Sequence, residues 1–171
     1  MAVLKILTYP DPFLKKIAEP IQIHDDSLEE LSANMIETMY AFKGIGLAAT
    51  QIGVNKRIFV IDVQYRPDNP ESQPRPTVFI NPKIMETSDE VHFEEGCLSV
   101  PEFRAKVTRH ATVVLAYTDL NQKRCRIKAD GLKSICIQHE LDHLDGKVFI
   151  DRLSPLKRAI IQNKLKKRKH C

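Results

Sequence analysis

The segment QHELDHLDG (138–146) places His139 and His143 four residues apart, with Glu140 directly after the first. On a helix this spacing puts both imidazoles on one face, one turn apart. Two such rings can close on one metal ion, and the carboxylate can act on a water held there. A helical pair supplies two ligands, whereas a catalytic site uses three and keeps a position open. The third must come from elsewhere. Position 149, six residues after His143, is Phe, so the pattern with a further downstream His fails. Beyond it only Asp151 is near, followed by a basic tail. Upstream, EEGCLSVPE (94–102) offers Cys97 beside Gly96. A lone cysteine is as readily a small buried hydrophobe, and the residues alone leave both readings open.

A second unusual segment is GIGLAATQIG (44–53), dense in glycines and other small residues. Backbone of this kind lies close to something, a ligand or the metal helix, or else forms a flexible turn. It is not a phosphate loop. Position 49 is Ala where a dinucleotide fingerprint needs Gly, and no Lys-Ser/Thr pair follows. Gln51 stands near its end as a neutral hydrogen-bond donor.

The pair requires a rigid carrier, and residues 131–145 read as a helix apolar on more than one face, hence buried. Asp142 sits within it, turned away from the ligands, and is expected to make an internal ion pair, with Arg109 as one candidate partner. Residues 26–43 read as another helix, with a Ser27/Glu30 capping box, a core face of Leu28, Leu31, Met35 and Met39, and Gly44 as its stop. Segments 57–63 and 77–82 read as neighbouring strands joined by a polar, proline-rich exposed loop. A short strand is expected before Cys97. Residues 110–119 and 123–129 form a hairpin turning at 120–122. Ser154-Pro155 opens a last helix that Leu156, Ile160 and Leu165 should dock.

At 171 residues, 43% of them hydrophobic and 28% charged, the chain reads as one ordinary soluble domain. No apolar run approaches the ~20 residues that span a membrane. Pro10 and Pro12 interrupt the N-terminal apolar patch, so no signal peptide is expected, and the protein reads as cytoplasmic. Cys97, Cys125, Cys136 and Cys171 form no dense framework and are expected as thiols. The formal charge of +4 is unevenly spread. Residues 154–171 carry seven basic side chains and no acidic one, so the remainder is net acidic. Such a tail suits a polyanion.

In chain order, GIGLAATQ, EGCLS and QHELDHLDG resemble the three signature motifs of the peptide deformylase family. NPKI before the second motif and LSPLK after the third extend the resemblance over essentially the whole chain. It is most similar to the bacterial type with a helical C-terminus, and the insertion at 64–76 looks peculiar to this chain. The resemblance implies an α+β fold, with antiparallel β-sheets packed around a central metal-binding helix and with N- and C-terminal helices. It implies a single domain over 1–171 with a basic helix at 155–170. Cys97, His139 and His143 become the ligands of one divalent metal, Fe(II) in the cell, with Zn(II), Ni(II) or Co(II) able to replace it. The implied reaction removes the formyl group from the N-terminal formyl-methionine of new polypeptides. Glu140 would carry the proton, and the Gln51 amide and Leu98 N–H would stabilise the oxyanion. Ile45, Phe93, Leu132, Ile135 and Cys136 would line the methionine pocket. Gly44, Gly46, Glu95 and Gly96 would pair with the substrate backbone. Expected partners are formyl-methionyl nascent chains and, through the basic tail, the ribosome near its exit, with neither DNA nor membrane. Two competing readings are an HExxH zinc endopeptidase and a basic RNA-binding protein with a structural metal.

Overall fold

The computed structural model describes residues 2–169. Five strands, β1 (Gly46–Ala48), β2 (Ile58–Ile61), β3 (Thr77–Cys97), β4 (Val100–Thr118) and β5 (Arg124–Asp130), form one sheet in the order β1-β2-β3-β4-β5. Every neighbouring pair is antiparallel. The expected α+β class therefore holds, with one continuous sheet in place of several.

The strand expected to be short before Cys97 is the far end of the 21-residue β3. Together β3 and β4 make a long ribbon, irregular at Ile80/Lys83, Ile84/Glu86 and Gly96/Cys97. Residues 85–90 of β3 are exposed throughout, so no buried face imposes an alternating pattern there. The hairpin from β4 to β5 turns where expected, with Thr118 opposite Arg124.

Two helices, α1 (Asp26–Ala41) and α2 (Gly131–Leu144), pack on this sheet, and α3 (Pro155–Lys169) packs on the 3-10 turn Phe149–Arg152. The centre is α2. Ile137 and Leu144 are fully buried and join Phe59, Phe79 and Leu115 of the sheet in one cluster. The rings of Phe59 and Phe79 stack at 4.9 Å. Each such side chain contributes about 1.5–3 kcal/mol on leaving water, so α2 is held on a stiff floor. Past its end, Gly146 takes φ +76°. A Cβ there would also meet the Lys15 carbonyl oxygen at 2.4 Å, so the residue that ends α2 must be glycine.

Two details of α1 differ from expectation. Its N-cap is Asp25, whose carboxylate accepts from Ser27 N at 3.1 Å, rather than Ser27. An anion at that end also faces the positive pole of the helix. The left-handed residue that closes the helix is Lys43 (φ 58°), and Gly44 N then bonds Met39 O at 2.9 Å. In α3, Leu156 and Ile160 are exposed, while Ile161 and Leu165 pack against Val148, Phe149 and Ile150. The helix thus docks through the expected Leu165 and through Ile161, one position beyond the expected Ile160. His170 and Cys171, at the end of the basic tail, lie outside the described residues.

The proline-rich loop joins β2 to β3, as expected, and is anchored on Asp62. The Asp62 carboxylate accepts from the N–H groups of Gln64, Tyr65 and Arg75 and from the Tyr40 hydroxyl at 2.5 Å. Burial alone would raise its pKa, but the bonds from Tyr40 and the three amides bring it below the usual value. Its folded pKa is depressed, so its stabilisation is present above the unfolded pKa and lost as pH falls through the folded one. Asp62→Asn should cost about 2 kcal/mol at neutral pH. The gap from wild type should close below about pH 4. Urea unfolding at several pH values reads this out.

Candidate active site

Three segments meet at one point. From α2 come His139, Glu140 and His143, all buried. Cys97 ends β3. The segment 44–51 passes beside α2 as the edge strand β1 and the 3-10 turn Ala49–Ile52 that carries Gln51. Segment 44–53 is thus backbone lying close to the metal helix, one of the two expected readings, rather than a flexible turn.

Among the described residues, Cys97, His139 and His143 form a group whose ligand atoms lie within 4.8 Å of one another. His143 Nε2 is 3.2 Å from His139 Nε2 and 3.3 Å from Cys97 Sγ. Ligand atoms ~2.0–2.3 Å from a tetrahedral centre stand about 3.3–3.5 Å apart, so the donor set fits a small divalent cation. Burial would raise the Cys97 thiol, but the charges of His143 and His139 outweigh it and bring its pKa well below the ordinary value. A thiolate is the form that ligates.

Glu95, expected along the substrate backbone, turns its side chain toward Arg109 of β4 and His139 of α2. It is buried, and accepts from His139 Nδ1 at 2.8 Å and from Arg109 Nε and Nη2 at 2.7 and 2.8 Å. A carboxylate behind a ligating imidazole fixes its tautomer and leaves Nε2 free for metal. Arg109 also reaches Asp142 Oδ2 at 2.6 Å, which is the expected ion pair. Arg152 clamps the outer side of Asp142, with Nη2 at 2.6 Å from Oδ1. Both carboxylates are pushed up by burial, yet the bonds and charges of their cationic partners hold their pKa values down. The result is an alternating chain, Arg152–Asp142–Arg109–Glu95–His139, that ends on a member of the Cys97/His139/His143 group.

Glu140 is buried, and its Oε2 has no hydrogen-bond partner among the described residues. Burial pushes its carboxyl up to about 7, against the opposing charges of His139 and His143. A group with that pKa can both accept and return a proton near neutrality. Cys97, His139, Glu140 and Gln51 lie along one side of a cavity of about 890 Å³. Leu98 and all of the expected substrate residues, Gly44, Ile45, Gly46, Phe93, Glu95, Gly96, Leu132, Ile135 and Cys136, line it too. Sequence reading missed Phe42, Phe103 and Arg104 at the same cavity. It also missed Ser99, which accepts from Gln51 Nε2 at 3.0 Å, and Thr50, whose hydroxyl donates to His143 O.

The family model for polypeptide deformylase matches residues 3–159. The chain belongs to the peptide deformylase family. It is 48% identical to the peptide deformylase of Tolumonas auensis, over 98% of this chain and 96% of that one. The structure of the Ehrlichia chaffeensis peptide deformylase in complex with actinonin superposes with a TM-score of 0.91, at 42% identity and with both chains fully covered. A Met-Ala-Ser-bound class I type b peptide deformylase from Acinetobacter baumannii gives a TM-score of 0.82 at 32% identity, covering 89% of this chain and 99% of that one. The chain is thus a hydrolase that removes formyl groups from N-terminal methionine.

In a deformylase the glycine at 46 acquires a concrete purpose. A Cβ there would stand 2.9 Å from both Glu140 Oε1 and Cys136 Sγ. Gly46→Ala should displace the Glu140 carboxylate and lower kcat by about 100-fold with metal retained. Steady-state turnover at matched metal content checks this.

Proposed function

We propose that Cys97, His139 and His143 hold one divalent metal, Fe(II) in the cell, and that Glu140, Gln51 and Leu98 act on the formyl group of a formyl-methionyl peptide beside it. The observation that carries this reading is the convergence of these donors with an unpartnered carboxylate at one cavity. Imidazole and thiolate together suit iron and zinc alike. When bound, the metal supplies Lewis acidity, acidifying water and polarising the formyl oxygen.

The chain's own residues do the rest. Glu140 takes the proton of the attacking water on its free oxygen, then returns it to the leaving amine nitrogen, and formate departs. The Gln51 amide and the Leu98 N–H donate to the oxygen that gains charge as attack proceeds. The methionine side chain occupies the apolar wall formed by Ile45, Phe93, Leu132, Ile135 and Cys136. The peptide lies along β1. That strand has β2 on one side only, so its other edge can accept an extended chain. Among the described residues no helix is long and apolar enough to cross a membrane. We read the chain as one cytoplasmic domain over 1–171.

A metal-loaded sample should release formate from formyl-Met-Ala-Ser and leave an unformylated internal peptide uncut. Cleavage of the internal peptide would instead support an endopeptidase. The exposed Lys157, Lys164 and Lys166 on α3 support docking of the basic tail on ribosomal RNA near the exit of the nascent chain. Replacing Lys164, Lys166 and Lys167 by Ser, which keeps the docked Leu165 in place, should abolish co-sedimentation with ribosomes, in a salt-sensitive manner, and leave peptide turnover intact. Equal ribosome affinity for both forms would exclude the docking.

A further inference from the structure

Ser99 follows Cys97 by two residues, is fully buried, and is tied down at three atoms. Its carbonyl accepts from Tyr9 N at 2.7 Å, its N–H donates to Cys97 Sγ at 3.4 Å, and its hydroxyl accepts from Gln51 Nε2 at 3.0 Å. Gln51 is held at its other end, where Oε1 accepts from Ala48 N at 2.9 Å. A backbone N–H can only donate, so this bond fixes which end of the amide is oxygen. The amide nitrogen then has two hydrogens to place. One meets Ser99 Oγ, and the other faces Cys97 Sγ at 3.6 Å, on the side of the ligand cluster.

We infer that Ser99 is a positioning residue: its hydroxyl sets the plane of the Gln51 amide so that the second N–H is aimed at the formyl oxygen under attack. The inference rests on the reading of Gln51 as an oxyanion donor. Without the hydroxyl, a buried N–H loses its partner and is left unsatisfied. The amide relieves this by rotating toward another acceptor, and the rotation carries the second donor off its line. The charge it serves exists only in the transition state, so the loss falls on kcat rather than on KM.

The test compares wild type, Ser99→Ala, Gln51→Ala and the double variant for kcat, KM, metal content and thermal midpoint. Ser99→Ala should lower kcat by about 10-fold with KM and metal content unchanged. Gln51→Ala should lower it by about 100-fold, and Ser99→Ala should have no further effect in that background. The same fold-loss in both backgrounds would overturn the inference and make Ser99 a packing residue, as would an unchanged kcat in Ser99→Ala or a fall explained by lost metal. An unchanged kcat in Gln51→Ala would instead remove the oxyanion reading of Gln51, and this inference with it.

Discussion

Glu140→Gln should lower kcat for formate release by about 10³–10⁴-fold while metal content and KM stay near wild type. The substitution keeps the shape of a buried side chain, and Arg109 and Arg152 bond Glu95 and Asp142 instead, so the fold should survive it. What it removes is the basic oxygen. Glu140 Oε2 is buried without a partner among the described residues, and burial places its pKa at about 7. An amide offers no proton-accepting site there at any useful pH. Elemental analysis beside steady-state kinetics separates a chemical loss from a metal loss. A residual activity within about tenfold of wild type would transfer the proton step to another group.

Arg109→Met should destabilise the protein by about 3–5 kcal/mol. The Arg109 side chain is 1% exposed and bonds two carboxylates that are themselves buried, Glu95 and Asp142. Methionine fills similar space but leaves both carboxylates short of their central cation, and only His139 and Arg152 remain to them. The same change should weaken metal binding by about 10–100-fold, because Glu95 fixes His139 through Nδ1. Guanidinium unfolding measures the first effect, and competition with a chromophoric chelator the second. A loss of less than about 1 kcal/mol would show that the ion chain is solvated enough to dispense with its centre.

Much of this arrangement was legible in the sequence because the chemistry is local. The His139/His143 spacing is a property of one helix turn, and the apolar girth of α2 announced its burial. The Asp142–Arg109 pair followed from a carboxylate on a buried helix that needs a cation. Cys97 stayed ambiguous on spacing alone and became a ligand only through the resemblance of three motifs in order. What was missed depends on long-range placement. Glu95 was read only as part of the loop beside the substrate backbone, and its side-chain bonds to Arg109 and His139, 14 and 44 residues away, carry no local signal. Arg152 and Ser99 act through partners ten and 48 residues away, which no local pattern encodes. The length of β3 was hidden because its middle is exposed and carries no alternation. Leu156 and Ile160 were assigned to the core by their apolarity, whereas the packing of α3 selects Ile161 beside the expected Leu165.

Metal-free protein should be titrated anaerobically with Fe(II), and in parallel with Zn(II), while initial rates of formate release from formyl-Met-Ala-Ser are recorded at each addition. The geometry of Cys97, His139 and His143 predicts a rate that rises linearly and breaks at one metal per chain, with Cys97→Ala showing no rise at that stoichiometry. Formate release that is already complete before metal is added, or that stays absent with one metal bound, would contradict the assignment of this cluster as the centre of deformylation.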